Sequence, residues 1–181
     1  MTIEELTIRL KQEAESFNQN EPFASPMLQE QILLKDSFKE MLTVTLACGL
    51  AGEIINREKL ETLINSCFEK FPEILEYAKK DLVATVLRDP ACLGYLEPLL
   101  FFKGFQGLQA YRIAHALWKN NERFTAKMFQ SIISRKFGMD IHPAAQIGHG
   151  LLIDHATNIV IGETAVIGNN VSILHGVTLG G

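Results

Sequence analysis

The end of the chain repeats an aliphatic residue at intervals of six. Positions 141, 147, 153 and 159 are isoleucine, and after a shift of two residues the interval resumes at Ile161, Ile167, Ile173 and Leu179. A helix places apolar residues three and four apart and a strand two apart, so neither alone gives this interval. The pattern predicts a solenoid of short strands, three to a coil, with the aliphatic side chains inside. A β-sandwich would instead show turn signals about every 8–12 residues.

The chain before Gly138 shows helical periodicity. Helix starts are marked by Thr2 with Glu5, Ser25 with Pro26, Asn56, and Pro72. A capping box, a first-turn proline and an asparagine cap are typical of helix N-termini. These signals predict helices over about 2–17, 25–49, 56–70 and 72–88, and the periodicity predicts two more, over about 105–119 and 123–137.

Charge changes at the same place as the periodicity. All 17 Lys and Arg residues lie before Met139, and the only charges after it are those of Asp140, Asp154 and Glu163. We therefore predict an α+β fold with two domains. Residues 1–138 form an all-helical domain, and residues 139–181 form about two coils of a parallel β-helix.

Composition excludes several functions. The net charge of −4 gives no basic face for nucleic acid. No apolar run approaches the ~20 residues of a membrane span, and no secretory signal begins the chain. Cys48, Cys67 and Cys92 are odd in number and lie in helical context, as expected for buried, reduced thiols. These features predict a cytoplasmic protein.

Two histidines follow repeated isoleucines at the same distance. His155 and His175 are 20 residues apart, so we expect their rings at equivalent places on successive coils, about 4.8 Å apart. Asp154 precedes His155, and Asp140 precedes the first repeated isoleucine. A histidine beside a carboxylate has a fixed tautomer and a stabilised imidazolium, as a general base acting on a hydroxyl requires. His155 is the candidate base, and a merely solvated corner residue is the alternative.

A zinc site is a second hypothesis for the histidines. His149, His155 and His175 all lie in the coil segment, and imidazole is a common zinc ligand. His149, however, belongs to a different six-residue interval from the other two. The pattern therefore places it at another corner, and we predict no metal.

Several segments resemble serine O-acetyltransferase, one of the hexapeptide-repeat acyltransferases. They are RDPA (88–91), KGFQGLQAYRIAHALW (103–118), DIHPAAQIG (140–148), DHAT (154–157), IGETAVIG (161–168) and VSILHGVTLGG (171–181). The resemblance implies a left-handed β-helix, a homo-oligomer (trimer or dimer of trimers), and transfer of acetyl from acetyl-CoA to the hydroxyl of L-serine. This reaction is the first step of cysteine biosynthesis, and the resemblance also implies feedback inhibition by cysteine.

The resemblance also implies roles for individual residues. His155 matches the general base, and Asp140 matches the carboxylate that orients it. The positions that receive the substrate are matched by Asp89, Pro90, Asp154 and Glu163.

Two features depart from the family pattern. Asn158 stands where the family has glycine after HAT, but asparagine tolerates positive φ better than most residues. The coil segment also has no Lys or Arg for the serine carboxylate or the CoA phosphates. The resemblance implies that the cofactor-binding parts, and a tail that docks into cysteine synthase, follow Gly181. We therefore expect an incomplete β-helix that self-associates and has weak or no acetyl transfer.

Two other functions fit the sequence. The helical domain with a short coil segment is compatible with a non-catalytic oligomerisation fragment. A hexapeptide acetyltransferase for another small hydroxyl or amine acceptor is also compatible with the repeat, although the long helical domain disfavours it.

Overall fold

The computed structural model describes residues 1–52 and 55–180, so Gly181, the end of the last motif, lies outside the described residues. The helices are α1 (Ile3–Asn20), α2 (Ser25–Leu28), a π-helix (Gln29–Leu33), α3 (Phe38–Leu50), α4 (Arg57–Lys70), α5 (Glu73–Arg88), α6 (Leu96–Phe101), α7 (Lys103–Lys119) and α8 (Arg123–Phe137). The strands are β1 (Met139–Ile141), β2 (Gln146–Ile147), β3 (Leu152–Ile153), β4 (Ile159–Ile161), β5 (Val166–Ile167), β6 (Ser172–Ile173) and β7 (Thr178–Leu179).

Most helices begin where their capping signals predict. The Thr2 side chain accepts from the Glu5 backbone N–H, and the Glu5 carboxylate accepts from the Thr2 N–H, which completes the capping box of α1. The Asn56 side chain accepts from the Lys59 N–H at the start of α4. Pro72 directly precedes α5. These predictions are confirmed because the caps depend only on local sequence.

The single helix predicted over residues 25–49 is wrong. The helical segment that begins at Ser25 ends after the π-helix, and α3 begins separately with Ser37 as its cap. The Glu40 carboxylate accepts from the Asp36 N–H at 3.1 Å, and the Ser37 hydroxyl accepts from the Glu40 N–H at 3.3 Å. These local bonds replace helical ones and break the helix. Helix α6 was not predicted, because six residues are too few to show a period.

The strands form the three sides of a parallel β-helix. One side holds β1, β4 and β7, the second β2 and β5, and the third β3 and β6. Ile147 pairs with Ile167, and Ile153 pairs with Ile173. All four side chains are buried. The predicted aliphatic interior is confirmed.

The shift in the six-residue interval enlarges one corner. Ile161 follows Ile153 by eight residues, whereas Leu179 follows Ile173 by six. Because Ile161 and Leu179 pair directly on neighbouring coils, the two extra residues must lie at the corner between β3 and β4. This corner holds residues 154–158.

A buried ion pair connects the helices to the first coil. Asp81 of α5 is fully buried, Arg112 of α7 is 4% exposed, and Arg112 Nη2 lies 2.6 Å from Asp81 Oδ2. The other oxygen of Asp81 accepts from the Leu151 backbone N–H at 2.9 Å. Arg112 also donates to the carbonyl oxygens of Ile147 and Gly148. These hydrogen bonds offset the desolvation of the two charges, which costs several kcal/mol per ion.

Helix α7 makes further contacts with the same coil. The Tyr111 hydroxyl donates to the Ala145 carbonyl, and His115 Nδ1 donates to the Pro143 carbonyl at 2.7 Å. Burial raises the pKa of Tyr111 and lowers the pKa of His115. Both side chains are therefore neutral hydrogen-bond donors near pH 7, and they fix α7 along the coil.

Truncation of the coil interior should be costly. Ile153→Ala removes buried methyl groups and is expected to lower the free energy of unfolding by about 2–5 kcal/mol. Leu34→Ala, at a side chain that is 71% exposed, is the control and should change it by less than about 0.5 kcal/mol. Urea unfolding measures both. Equal losses would show that Ile153 is not part of a packed interior.

Removal of one member of the buried ion pair should also be costly. Arg112→Met leaves the Asp81 carboxylate buried without its cation, and we expect a loss of about 3–5 kcal/mol. The double variant Asp81→Leu with Arg112→Met removes both charges and should recover part of that loss. Urea unfolding of Arg112→Met, Asp81→Leu and the double variant gives the coupling energy. A double variant whose loss equals the sum of the single losses would refute a coupled pair.

Candidate active site

His155 lies on the enlarged corner, where the backbone is strained. The φ angles of His155, Ala156 and Asn158 are 57°, 60° and 58°, in the left-handed region that residues with a Cβ seldom adopt. The Ala156 N–H donates to the Asp154 carbonyl at 2.7 Å, and the Thr157 N–H donates to the His155 carbonyl at 2.8 Å. These bonds form two consecutive three-residue turns. Such strain persists only where neighbouring structure holds it, and it is concentrated at functional sites.

The second coil holds this corner. The Asp154 N–H donates to the Ile173 carbonyl, and the Gly176 N–H donates to the Thr157 carbonyl, both at 2.8 Å. The Ala156 side chain is fully buried. Hydrogen bonds to the second coil therefore hold the backbone on both sides of the two tight turns, and the buried Ala156 side chain holds it between them.

The His155 ring has a histidine and a carboxylate beside it. The ring centroids of His155 and His175 are 5.7 Å apart, with an angle of 61° between the planes. The two histidines therefore occupy equivalent positions on successive coils, as predicted, but their rings meet edge-on and farther apart than the predicted distance of about 4.8 Å. Asp154 Oδ2 lies 3.6 Å from His155 Nε2, and the His155 side chain is 70% exposed. The imidazole is thus exposed, with the Asp154 carboxylate beside its Nε2 atom.

Asp140 has a different partner from the one predicted. Its Oδ1 accepts from Gln130 Nε2 of α8 at 2.6 Å. Within the part of the chain that the structure describes, Asp140 forms neither a hydrogen bond nor an ion pair with His155, whose carboxylate neighbour is Asp154. Asp140 lies on β1, which pairs with the strand that follows the His155 corner. An effect of Asp140 on His155 stays a prediction.

Asp89 and Pro90 follow α5 beside the third side of the coil. Asp89 Oδ1 accepts from the Ala91 N–H at 2.9 Å, and Pro90 is exposed. Arg88 Nη1 lies 3.3 Å from Ser172 Oγ on β6. The end of α5 therefore lies along the side whose strands lead into the two histidine corners.

Glu163 lies at a different corner from His155. It is exposed on the turn between β4 and β5, whereas His155 precedes β4. Its carboxylate and that of Asp140 tend to raise the pKa of His142, but burial has the larger effect and lowers it. Within one chain, strand β4 lies between Glu163 and His155, and a role of Glu163 in substrate binding stays a prediction.

The histidines of the zinc hypothesis are not brought together. His149 lies at the corner between β2 and β3, where its ring is 5.1 Å from that of Tyr77 and its Nε2 is 3.3 Å from Lys80 Nζ. Within residues 1–52 and 55–180, no group of three or more His, Cys, Asp or Glu side chains is arranged to hold a metal ion.

The cysteines are free thiols with low reactivity. Cys67 and Cys92 are buried and Cys48 is partly buried. Burial raises the pKa of all three, that of Cys67 to about 11. Since the thiolate is the reactive form, this agrees with the structural role predicted for them.

Helix α7 brings a cation to the corner, which the sequence analysis missed. Lys103 Nζ donates to the Thr157 hydroxyl, two residues after His155. The next residue, Gly104, contacts the strand before the corner so closely that a Cβ there would lie 2.0 Å from the Ile153 carbonyl oxygen. A glycine in the first turn of a helix signals such an approach, but the sequence does not show which strand it meets.

A separate cleft lies on the other side of the first coil. Its volume is about 610 Å³, and Tyr77, His115, Trp118 and Gln146 are among the residues that line it. His155 is not among them. The cleft is thus distinct from the candidate active site.

Comparison with known families decides the assignment. The family described as "Serine acetyltransferase, N-terminal" matches residues 7–110, more than half of the chain. The chain belongs to the serine acetyltransferase family. This confirms the resemblance that the sequence motifs indicated.

Full-length relatives extend the match over nearly the whole chain. The chloroplastic serine acetyltransferase 1 of Arabidopsis thaliana is 46% identical over 178 residues, which cover 98% of this chain and 57% of that protein. The serine acetyltransferase of Haemophilus influenzae is 44% identical over 172 residues, 95% of this chain and 64% of that protein. This chain therefore spans less than two thirds of the length of these relatives.

Solved structures of the family have the same fold. A serine acetyltransferase in complex with CoA has 42% identity and a TM-score of 0.97, over 99% of this chain and 76% of that one. Soybean serine acetyltransferase complexed with serine has 42% identity and a TM-score of 0.95, over 97% of this chain and 72% of that one. Among the described residues, no helix has the length and hydrophobicity needed to cross a membrane.

The left-handed backbone predicts how Asn158 responds to substitution. Asn158 is exposed with φ of 58°, and an alanine there is expected to lower the free energy of unfolding by about 1–2 kcal/mol, because it lacks the short polar side chain that lets asparagine adopt this region. Asn158→Gly, the residue typical of the family, should stay within about 0.5 kcal/mol of the parent or stabilise it. Urea unfolding checks both, and equal stability of the two variants would exclude the left-handed conformation.

Proposed function

We propose that this chain acts as a serine O-acetyltransferase, which transfers acetyl from acetyl-CoA to the hydroxyl of L-serine in the first step of cysteine biosynthesis. The observation that carries the proposal is the exposed His155 imidazole, whose Nε2 lies 3.6 Å from Asp154 Oδ2. This histidine lies on a strained corner of the coil, in a chain that belongs to the serine acetyltransferase family. Solved relatives described as complexes with CoA and with serine support the two substrates.

The reaction needs one proton acceptor and moves one acetyl group. The neutral His155 imidazole accepts the proton of the serine hydroxyl while its oxygen attacks the thioester carbonyl. The C–S bond then breaks, and the departing sulfur takes the proton back from the imidazolium. The products are O-acetylserine and free CoA thiol. Asp154 stabilises the imidazolium that exists between the two proton transfers.

The amino acid is proposed to bind between α5 and the coil. The ammonium group of serine requires carboxylates, which we propose are Asp89 after α5 and Asp154 after β3, with Pro90 as part of the wall of the site. Asp140 is proposed to act on His155 from the neighbouring strand. Glu163 lies one corner away, so its role in substrate binding requires a contribution from a second copy of the chain.

Assembly and regulation are part of the same proposal. Val160, Val166 and Leu174 expose apolar side chains on the outside of the coil, which supports association into trimers or dimers of trimers. Residues 1–138 are proposed as the helical domain and residues 139–181 as the catalytic coil.

Cysteine carries the same ammonium and carboxylate as serine, so it is proposed as a feedback inhibitor at the serine site. Free thiols support a reducing compartment, proposed to be the cytoplasm.

Substitution of His155 tests the proposal. Thiol release from acetyl-CoA is measured with and without L-serine, alongside light scattering. We expect serine-dependent release in a full-length parent and a loss of about 10²–10⁴-fold in its His155→Ala variant. Asp140→Asn should be less damaging, because the imidazole remains. His149→Gln, at another corner, is the matched control and should retain parental activity.

Three outcomes would contradict the proposal. Near-parental turnover in His155→Ala would exclude this residue as the base. Oligomers without serine-dependent turnover in the parent chain would favour a non-catalytic assembly fragment, whereas turnover with a different hydroxyl or amine would identify another acceptor.

A further inference from the structure

The first turn of α7 contacts the coil on both sides of the candidate base. On the side before His155, the Gly104 backbone lies against the carbonyl oxygen of Ile153. A Cβ added at Gly104 would lie only 2.0 Å from that oxygen. After His155, Lys103 Nζ donates to the hydroxyl of Thr157. Two adjacent residues of one helix therefore hold positions two residues before and two residues after His155.

The hydrogen bonds continue from Lys103 to the histidine backbone. The Thr157 hydroxyl accepts from Lys103 and donates to the His155 carbonyl at 3.3 Å. The same carbonyl accepts from the Thr157 N–H at 2.8 Å. A threonine hydroxyl that accepts from an ammonium directs its own proton toward the remaining acceptor. The cation thus strengthens the bond that closes the second tight turn.

This turn needs external support. His155 and Ala156 both have φ near 60° without being glycine, and residues with a Cβ in this region cost on the order of 1–3 kcal/mol each. Within residues 1–52 and 55–180, Lys103 has no carboxylate within ion-pair distance, and its side-chain hydrogen bond is the one to Thr157. The ammonium is therefore directed at the strained corner rather than at a surface anion.

We propose that Lys103 is a positioning residue for His155 and acts through the hydroxyl of Thr157. This rests on the proposed function, in which His155 is the general base. The lysine does not touch the reacting atoms. It holds the backbone turn that aims the imidazole, and a misplacement of about 1 Å can cost about 10²-fold in rate.

A double-mutant cycle tests the proposal. Lys103→Met, Thr157→Val and the double variant are compared with the parent, with Lys103→Arg as the conservative variant and Lys39→Met, a lysine of α3 that pairs with Glu69, as the control. We expect each single variant to lower kcat by about 10–100-fold with KM within about twofold. The double variant should be no worse than the singles, Lys103→Arg should restore most of the rate, and Lys39→Met should match the parent.

A second readout does not depend on activity. Imidazole NMR signals of His155 and amide hydrogen exchange of Ala156 and Thr157 report on the corner itself. We expect shifted His155 signals and roughly tenfold faster exchange in Lys103→Met and Thr157→Val. If the full-length parent shows no acetyl transfer, the proposed function fails, but these measurements still decide whether Lys103 holds the corner.

Three results would overturn the positioning role. Unchanged NMR signals and exchange in Lys103→Met would show that the corner does not need the lysine. Additive rate losses in the cycle would show that Lys103 does not act through Thr157. A rise in KM for acetyl-CoA or serine at constant kcat would instead make Lys103 a ligand for a substrate anion.

Discussion

The buried pair of Asp81 and Arg112 is the interaction on which the rest of the structure depends. It connects α5, α7 and the first coil in one set of hydrogen bonds, with Arg112 Nη2 2.6 Å from Asp81 Oδ2 and 2.7 Å from the Gly148 carbonyl. Two charges without water must keep these partners, because loss of either leaves an uncompensated ion. The pair therefore fixes where α7 lies on the coil. Gly104 is two helical turns earlier, about 12 Å along the axis, and meets the strand before His155.

The fixed position of α7 allows the candidate site to keep a strained backbone at the His155 corner. The corner with His155 contains two extra residues and three left-handed φ angles outside glycine. A free loop of this kind would relax into a less strained conformation. Here the second coil binds its backbone, Ala156 is buried beneath it, and α7 contacts it on both sides. The strain is local, whereas the support comes from elements far apart in sequence.

Charge is divided between the two parts of the molecule. The coil segment supplies imidazoles and carboxylates but no Lys or Arg. Of the cations beside it, Arg88 and Lys103 come from the end of α5 and the start of α7, and each donates to a hydroxyl of the coil. A site for a zwitterionic amino acid needs both signs of charge. In this chain, the cations of any such site come from the helices, because the coil segment has none.

The sequence by itself determined the features that depend on local periodicity and caps. The six-residue interval gave the coil and its interior, including Ile153 and Ile173, whereas the structure showed that the shift of that interval enlarges the corner at residues 154–158. The motifs identified the family. Only the tertiary structure decided which side chains meet across the chain. Asp140 binds Gln130 rather than His155, Glu163 lies at another corner, and Lys103 reaches Thr157. Periodicity fixes which face a residue occupies, but contacts between elements depend on how helices dock on the coil, which the buried ion pair sets.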